Sequence, residues 1–131
     1  MLIRDASETD IDACLGITDS YWKKEDFQNS IDNPNAIFLV AEVDDNIVGY
    51  INGFIVPTKN NEAMIHESRI KDEQRGQKYG SRLVDEFCEV AYEAGADIVY
   101  AMIEPELKAF YIDSCKFKNT GQWVEASRSL K

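Results

Sequence analysis

Residues 65–95, IHESRIKDEQRGQKYGSRLVDEFCEVAYEAG, decide the fold. The stretch reads as a strand, a tight glycine-bearing turn and a long amphipathic helix. Arg75-Gly76-Gln77-Lys78-Tyr79-Gly80 forms the turn. After it Leu83, Val84, Phe87, Cys88, Val90, Ala91 and Ala94 recur at helical spacing, and Gly95 stands where a left-handed cap stops a helix. Such a turn leaves several backbone N–H groups unpaired at the helix start. The helix dipole adds partial positive charge there, and Arg75 and Lys78 add whole charges. The expected result is an anion site, most naturally one for phosphate.

Two familiar phosphate motifs do not fit. The P-loop pattern G-x-x-x-x-G-K-[ST] is absent, and the dinucleotide fingerprint G-x-G-x-x-G has only Gly76 and Gly80 to draw on. The run Arg75-Gly76-Gln77-Lys78-Tyr79-Gly80-Ser81 instead resembles the acetyl-CoA loop of the GNAT N-acetyltransferase superfamily, usually Arg/Gln-x-x-Gly-x-Gly/Ala, with Lys78 where the first motif glycine is common. The segment Ile70 to Gln74 before it resembles that family's exit from the fourth strand, and the order of elements along the chain also fits. The resemblance implies that backbone N–H groups from Arg75 to Ser81 hold the pyrophosphate of coenzyme A, and that the pantetheine arm pairs strand-fashion around Ile70. Without the resemblance, the same stretch reads as a strand–turn–helix with an ordinary basic turn.

Length and composition bound the rest. A chain of 131 residues, 44 % hydrophobic, suffices for one domain with a core needing neither disulfides nor metal. No apolar run approaches a membrane span, and the start of the chain, Met1-Leu2-Ile3-Arg4-Asp5, lacks the apolar stretch of a signal peptide. Cys14, Cys88 and Cys115 are odd in number and far apart, so a reduced, cytoplasmic protein is expected. The formal charge of −10 argues against nucleic acid. It either steers cationic amines towards the protein or only keeps it soluble. Arg69, Lys71, Arg75 and Lys78 form a basic exception at the proposed phosphate turn.

Along the chain, Leu2 to Arg4 reads as a first strand. Ser7 and Asp10 form a capping box for a helix that turns Ile11, Cys14, Leu15 and Thr18 inward. A second helix over Lys23 to Ile31 ends at Asn33-Pro34-Asn35. Ala36 to Val43 and Ile47 to Val56 are strands joined by an Asp44-Asp45-Asn46 turn, with Gly49 and Gly53 marking bends or close packing. Glu62 to Ile70 and Asp97 to Ile103 are further strands. Pro105 opens a short helix through about Ser114, and Phe117 to Gly121, a loop, and Trp123 to Leu130 are expected to supply a closing hairpin. Three consecutive antiparallel strands followed by a helix are not a doubly wound pattern.

With the resemblance, these elements imply an α+β, three-layer GNAT fold over residues 1–131. Its mixed, mostly antiparallel sheet has six or seven strands and about four flanking helices, and it splays between strands four and five. The implied activity is acetyl transfer from acetyl-CoA to a primary amine by direct attack in a ternary complex, with no metal. A GNAT-fold module that binds acyl-CoA without turning it over is the alternative. Small-molecule amines and peptide or protein amines are the implied acceptors; neither nucleic acid nor a membrane is a partner, and a homodimer paired through the C-terminal strands is compatible with the resemblance.

Family members often protonate the leaving thiolate with a tyrosine in Tyr-x-x-x-Gly-Phe. Here the segment is Tyr111-Ile112-Asp113-Ser114-Cys115-Lys116-Phe117. Either it carries one extra residue and Tyr111 is the acid, or the tyrosine is absent. Glu67 and His66 are base candidates, expected on opposite faces of their strand. Glu104, Glu106 or a chain of waters are rivals. The reading takes Tyr111 as acid and Glu67 as base, with Tyr21, Trp22 and Phe27 lining the acceptor pocket.

Overall fold

A computed structural model describes residues 1–18, 21–59, 61–121 and 124–131. The sheet has five strands in sequence order: β1 (Leu2–Asp5), β2 (Ala36–Val43), β3 (Asn46–Ile55), β4 (Glu62–Ile70) and β5 (Ile98–Ala101). The first four pair antiparallel, and β4 with β5 pairs parallel. Helices α1 (Ile11–Ile17) and α2 (Lys24–Asp32) cover one face, and α3 (Tyr79–Glu93) covers the other.

β2 is almost wholly apolar because both its faces are covered. Ile37, Leu39 and Ala41 pack towards Leu83, Val84, Phe87 and Ala91 of α3. Phe38 and Val40, on the opposite face, join Ile11, Cys14, Phe27 and Tyr50. The α3 stripe is the expected one, except that Ala94 lies just past the helix and is exposed. Gly95 adopts φ 105°, and the N–H of Ala96 closes the helix end onto the carbonyl of Ala91 at 2.9 Å.

At the other end of the chain, the N–H of Ser7 donates to Asp10 Oδ2 at 2.8 Å, completing the backward half of the capping box before a 3-10 turn leads into α1. The hairpin turn puts Asp44 and Asp45 at φ 51° and 66°, the mirror-image turn that suits the twist of two strands.

Gly53 stands at a β-bulge. The register steps from Asn52↔Glu67 to Gly53↔Ile65, so His66 has no counterpart in β3. A Cβ on Gly53 would run into the carbonyl of Met64 and lie 2.7 Å from the Phe87 ring. The bulge corrects the expectation that His66 and Glu67 point to opposite faces. His66 accepts a hydrogen bond from Trp22 Nε1 at 3.0 Å, and Glu67 accepts one from Thr18 Oγ1 at 3.3 Å. Trp22 and Thr18 belong to the segment that joins α1 to α2, so both side chains lie on that face.

Two further expectations change. The sixth and seventh strands are absent among the described residues, which show no strand beyond β5; Trp123 itself lies outside them. Residues 124–131 hold too little apolar surface to bury a strand face, with Val124 and Leu130 about nine-tenths exposed. The helix expected from Pro105 is a 3-10 turn over Pro105–Leu107 followed by a π-helical turn over Ala109–Ser114.

Candidate active site

The parallel pairing of β4 with β5 ends at Ile65↔Ala101. Beyond it the two strands separate, and among the described residues the edge of β4 from His66 to Ile70 has no strand partner on that side. An open edge of this kind is a template for an extended ligand. The gap opens into a cleft of about 890 Å³, with Ile70 and Met102 on its opposing strand exits, the turn before α3 at one end and Tyr111 on its wall.

At the turn, Gly76 has φ 84° and Lys78 has φ 63°. Lys78 is therefore left-handed at the N-cap of α3, the conformation glycine adopts without penalty. This accounts for a position where glycine is common. No side chain caps the helix, and among the described residues no acceptor pairs with the N–H groups of residues 76–81. A cluster of unpaired donors at the positive end of a 15-residue helix is complementary to an anion. Seven of the eight residues expected to hold the donor line the cleft: Ile70, Arg75, Gly76, Lys78, Tyr79, Gly80 and Ser81. Gln77 does not. Arg75 is tied to Asp72 at 3.1 Å, so Lys78 is the more available charge. Gly80 packs against Phe110, whose ring carbons would lie 3.2–3.3 Å from a Cβ there.

Tyr111 is almost fully buried, its ring against Phe110 and Phe117 at 5.0 and 5.4 Å. Burial pushes its phenol up to about 12, so it stays protonated at neutral pH. Burial also pushes the Cys115 thiol up to about 11, leaving it an inert core group rather than a nucleophile. Glu67 Oε1 takes Arg69 Nε at 3.0 Å as well as the Thr18 hydroxyl, which fixes the carboxylate at the cleft. His66 Nε2 already accepts the indole N–H of Trp22, at 3.0 Å. Glu104 lines the cleft too.

The three expected acceptor residues separate. Tyr21 is fully exposed and lines neither this cleft nor a second cavity of about 310 Å³ on the α1–α2 side. Phe27 is completely buried, stacked on Phe38 and edge-on to Tyr50, and is core. Trp22 alone faces a cavity, the second one, with His66 beside it. Sequence reasoning missed Asn52, a fully buried amide on that cavity. Its signal was a single carboxamide inside the apolar run of β3. Among the described residues no cluster of His, Cys, Asp and Glu is placed to hold a metal, and no helix is long and apolar enough to cross a membrane.

Comparison with known proteins agrees with this fold. A chain from Agrobacterium tumefaciens str. C58 described as an acetyltransferase superposes with a TM-score of 0.84 at 21 % identity, covering 98 % of this chain and all of that one. An aminoglycoside acetyltransferase from an uncultured soil metagenomic sample, in complex with sisomicin, gives 0.76 at 19 % identity, with 99 % and 96 % of the chains covered. A ribosomal-protein-alanine N-acetyltransferase from Brucella melitensis gives 0.78 at 23 % identity, covering 92 % and 86 %. No curated protein matches the sequence. The profile of the Acetyltransferase (GNAT) family matches residues 5–116, and the chain belongs to that family.

Proposed function

We propose that the protein is an acetyl-CoA-dependent N-acetyltransferase, a single domain that passes the acetyl group directly to a primary amine held beside the donor. One observation carries the reading. The unpaired edge of β4, the unpaired N–H groups of residues 76–81 and the Tyr111 phenol all border one cleft. That combination suits a donor with an extended amide-bearing arm and a pyrophosphate. The turn and Lys78 would hold the pyrophosphate, and β4 near Ile70 would hold the arm. Acetyl-CoA supplies an activated acyl carbon and a thiolate leaving group.

Glu67, held in place by Arg69 and Thr18, takes the proton the amine loses as nitrogen bonds to the acetyl carbon and the carbon–sulfur bond breaks. Its claim is better than that of His66, whose Nε2 lone pair is occupied by Trp22. Tyr111 gives its proton to the departing sulfur. Much of the rate comes from fixing amine and donor together. The acceptors of the similar enzymes, an aminoglycoside in one and ribosomal-protein alanine in another, make an amine the common substrate class. Three free cysteines suit a reducing cytoplasm.

The experiment is thiol release from acetyl-CoA in the presence of a panel of primary amines. Amine-dependent release supports the reading. Tight acetyl-CoA binding without release on any amine would assign the chain to a non-catalytic acyl-CoA sensor.

A further inference from the structure

We propose that Phe110 is a positioning residue for the transfer: its ring, seated in space that Gly80 leaves open, sets the direction of the Tyr111 phenol in the donor cleft. The proposal rests on the acetyl-transfer reading above, with Tyr111 as the acid. It starts from Gly80, which lies in the first turn of α3 without a positive φ, so no left-handed backbone requires glycine there. Alanine is the better helix former at such a position. The loop pattern that the turn resembles also admits alanine at this place, so a donor does not demand glycine either. A Cβ at residue 80 would meet two ring carbons of Phe110, at 3.2 and 3.3 Å, whereas Ile70 stands at an ordinary 3.8 Å. Carbon atoms attract best at about 3.5–4.0 Å, so the ring would have to give way. The glycine makes room for Phe110.

The same ring carries the consequence to the phenol. Phe110 meets Tyr111 edge-on, with centroids 5.0 Å apart and planes at 85°. Phe117 bounds Tyr111 at 5.4 Å, and its N–H donates to the Tyr111 carbonyl at 2.9 Å, which ties that neighbour to the turn. The Tyr111 hydroxyl makes no hydrogen bond among the described residues, so ring packing sets its direction. Of the two rings, Phe110 is the one that also lines the cleft. Gly80, Phe110 and Tyr111 thus form a short chain of contacts. It runs from the turn that would anchor the pyrophosphate to the phenol that would protonate the sulfur at the donor's other end. A displacement of about 1 Å at a reacting group is enough to cost rate while the donor stays bound.

The test is a double-mutant cycle between Gly80→Ala and Phe110→Leu. It is read by thiol release from acetyl-CoA with the most active amine of the panel, by acetyl-CoA titration, by thermal unfolding and by the Tyr111 ring resonances without donor. Gly80→Ala should lower kcat about tenfold, keep acetyl-CoA affinity within about twofold, move the Tyr111 resonances and lower the melting midpoint. Phe110→Leu removes the ring and should lower kcat to a similar extent, again with affinity kept. Adding Gly80→Ala to Phe110→Leu should lower kcat no further and should raise the midpoint, because alanine then meets no ring.

A wild-type kcat in Gly80→Ala overturns the proposal, as do kcat losses that multiply in the double variant. A Phe110→Leu that binds acetyl-CoA about tenfold more weakly overturns it too, by making Phe110 a donor contact. A purely structural Phe110 would lower the midpoint and leave kcat intact. Failure of the wild type to release thiol with any amine is a different outcome, which removes the acetyl-transfer reading and the proposal's role in catalysis with it. The packing is then decided by the donor-free arms alone: Tyr111 resonances that stay still in Gly80→Ala, or midpoint shifts that simply add, show that Gly80 and Phe110 do not place the phenol.

Discussion

The backbone N–H of Cys115 donates to the carbonyl of Phe110, five residues back, at 3.0 Å. That bond belongs to a π-helical turn, which accommodates one more residue than the α-helical path. Compared with Tyr-x-x-x-Gly-Phe, the run from Tyr111 to Phe117 holds one more residue, and a π turn is a local geometry able to take one up. Tyr111 lies on the wall of the cleft, its ring between Phe110 and Phe117.

If Tyr111 protonates the leaving sulfur, Tyr111→Phe should lower kcat by about 10²-fold, within the usual range for a general acid. Acetyl-CoA affinity, measured by titration, should change little. Because burial lifts the phenol from 10.0 to about 12, its ionisation should not reduce the wild-type rate until the pH nears that value. The same displacement affects stability. Between pH 10 and 12 the unfolded chain has lost this proton and the folded chain retains it, so stability falls as pH rises through that window. An unaltered rate in Tyr111→Phe would remove the acid assignment.

Glu67→Gln keeps the shape and an acceptor for Thr18 but cannot take a proton. The expected result is a fall in kcat of about 10²–10³-fold with KM for acetyl-CoA unchanged. A purely structural Glu67 would show a lower melting temperature and a nearly intact kcat.

Gly53→Ala places a methyl group against the Met64 carbonyl and the Phe87 ring. Overpacking of this kind costs about 1–3 kcal/mol. Urea unfolding should show it as a lower midpoint, and the Trp22–His66 contact next to the bulge should loosen with it.

Asp10 is buried and receives two hydrogen bonds from the Arg4 guanidinium, at 2.8 and 3.0 Å. Bonding to Arg4 holds its carboxyl below the ordinary 3.8 against the opposing effect of burial, with the Ser7 N–H assisting. The ionised form is therefore favoured by folding. Its contribution is present above pH 3.8 and is lost as pH falls below it. Asp10→Asn should lower stability by about 1–3 kcal/mol at pH 7, and the gap to wild type should close in acid. A gap that persists at pH 2 would mean that packing, not charge, is responsible.

Much of the fold was readable because local and tertiary preferences agree. The doubly covered β2, the α3 stripe with its Gly95 cap and the Asp44-Asp45 turn each carry a signal in a few adjacent residues. The backbone of the turn at residues 75–81 was readable for the same reason, because glycines mark that geometry. The acceptor side was not. Phe27 and Trp22 look alike as aromatics five positions apart, yet one is core and one borders a cavity, and only packing tells them apart. The common face of His66 and Glu67 depends on a bulge whose local trace was Gly53, a residue with several possible meanings. The π turn is equally silent, since an inserted residue can be taken up by a loop, a bend or a helix. The sixth and seventh strands were inferred from the family pattern where residues 124–131 lack the apolar surface to support them.

The central claim is that the turn at residues 75–81 binds the pyrophosphate of acetyl-CoA. The most direct test is a calorimetric titration of acetyl-CoA into the wild type and into Lys78→Glu. Gly80→Asp is a poorer choice, because a side chain there also displaces Phe110 from its place against Tyr111. Lys78→Glu reverses one charge at the helix start and leaves the packing alone. Micromolar binding by the wild type, weakened about tenfold or more in the variant and less so at high salt, is the predicted result. A folded wild type that binds no acetyl-CoA, or a variant that binds it equally well, would contradict the claim.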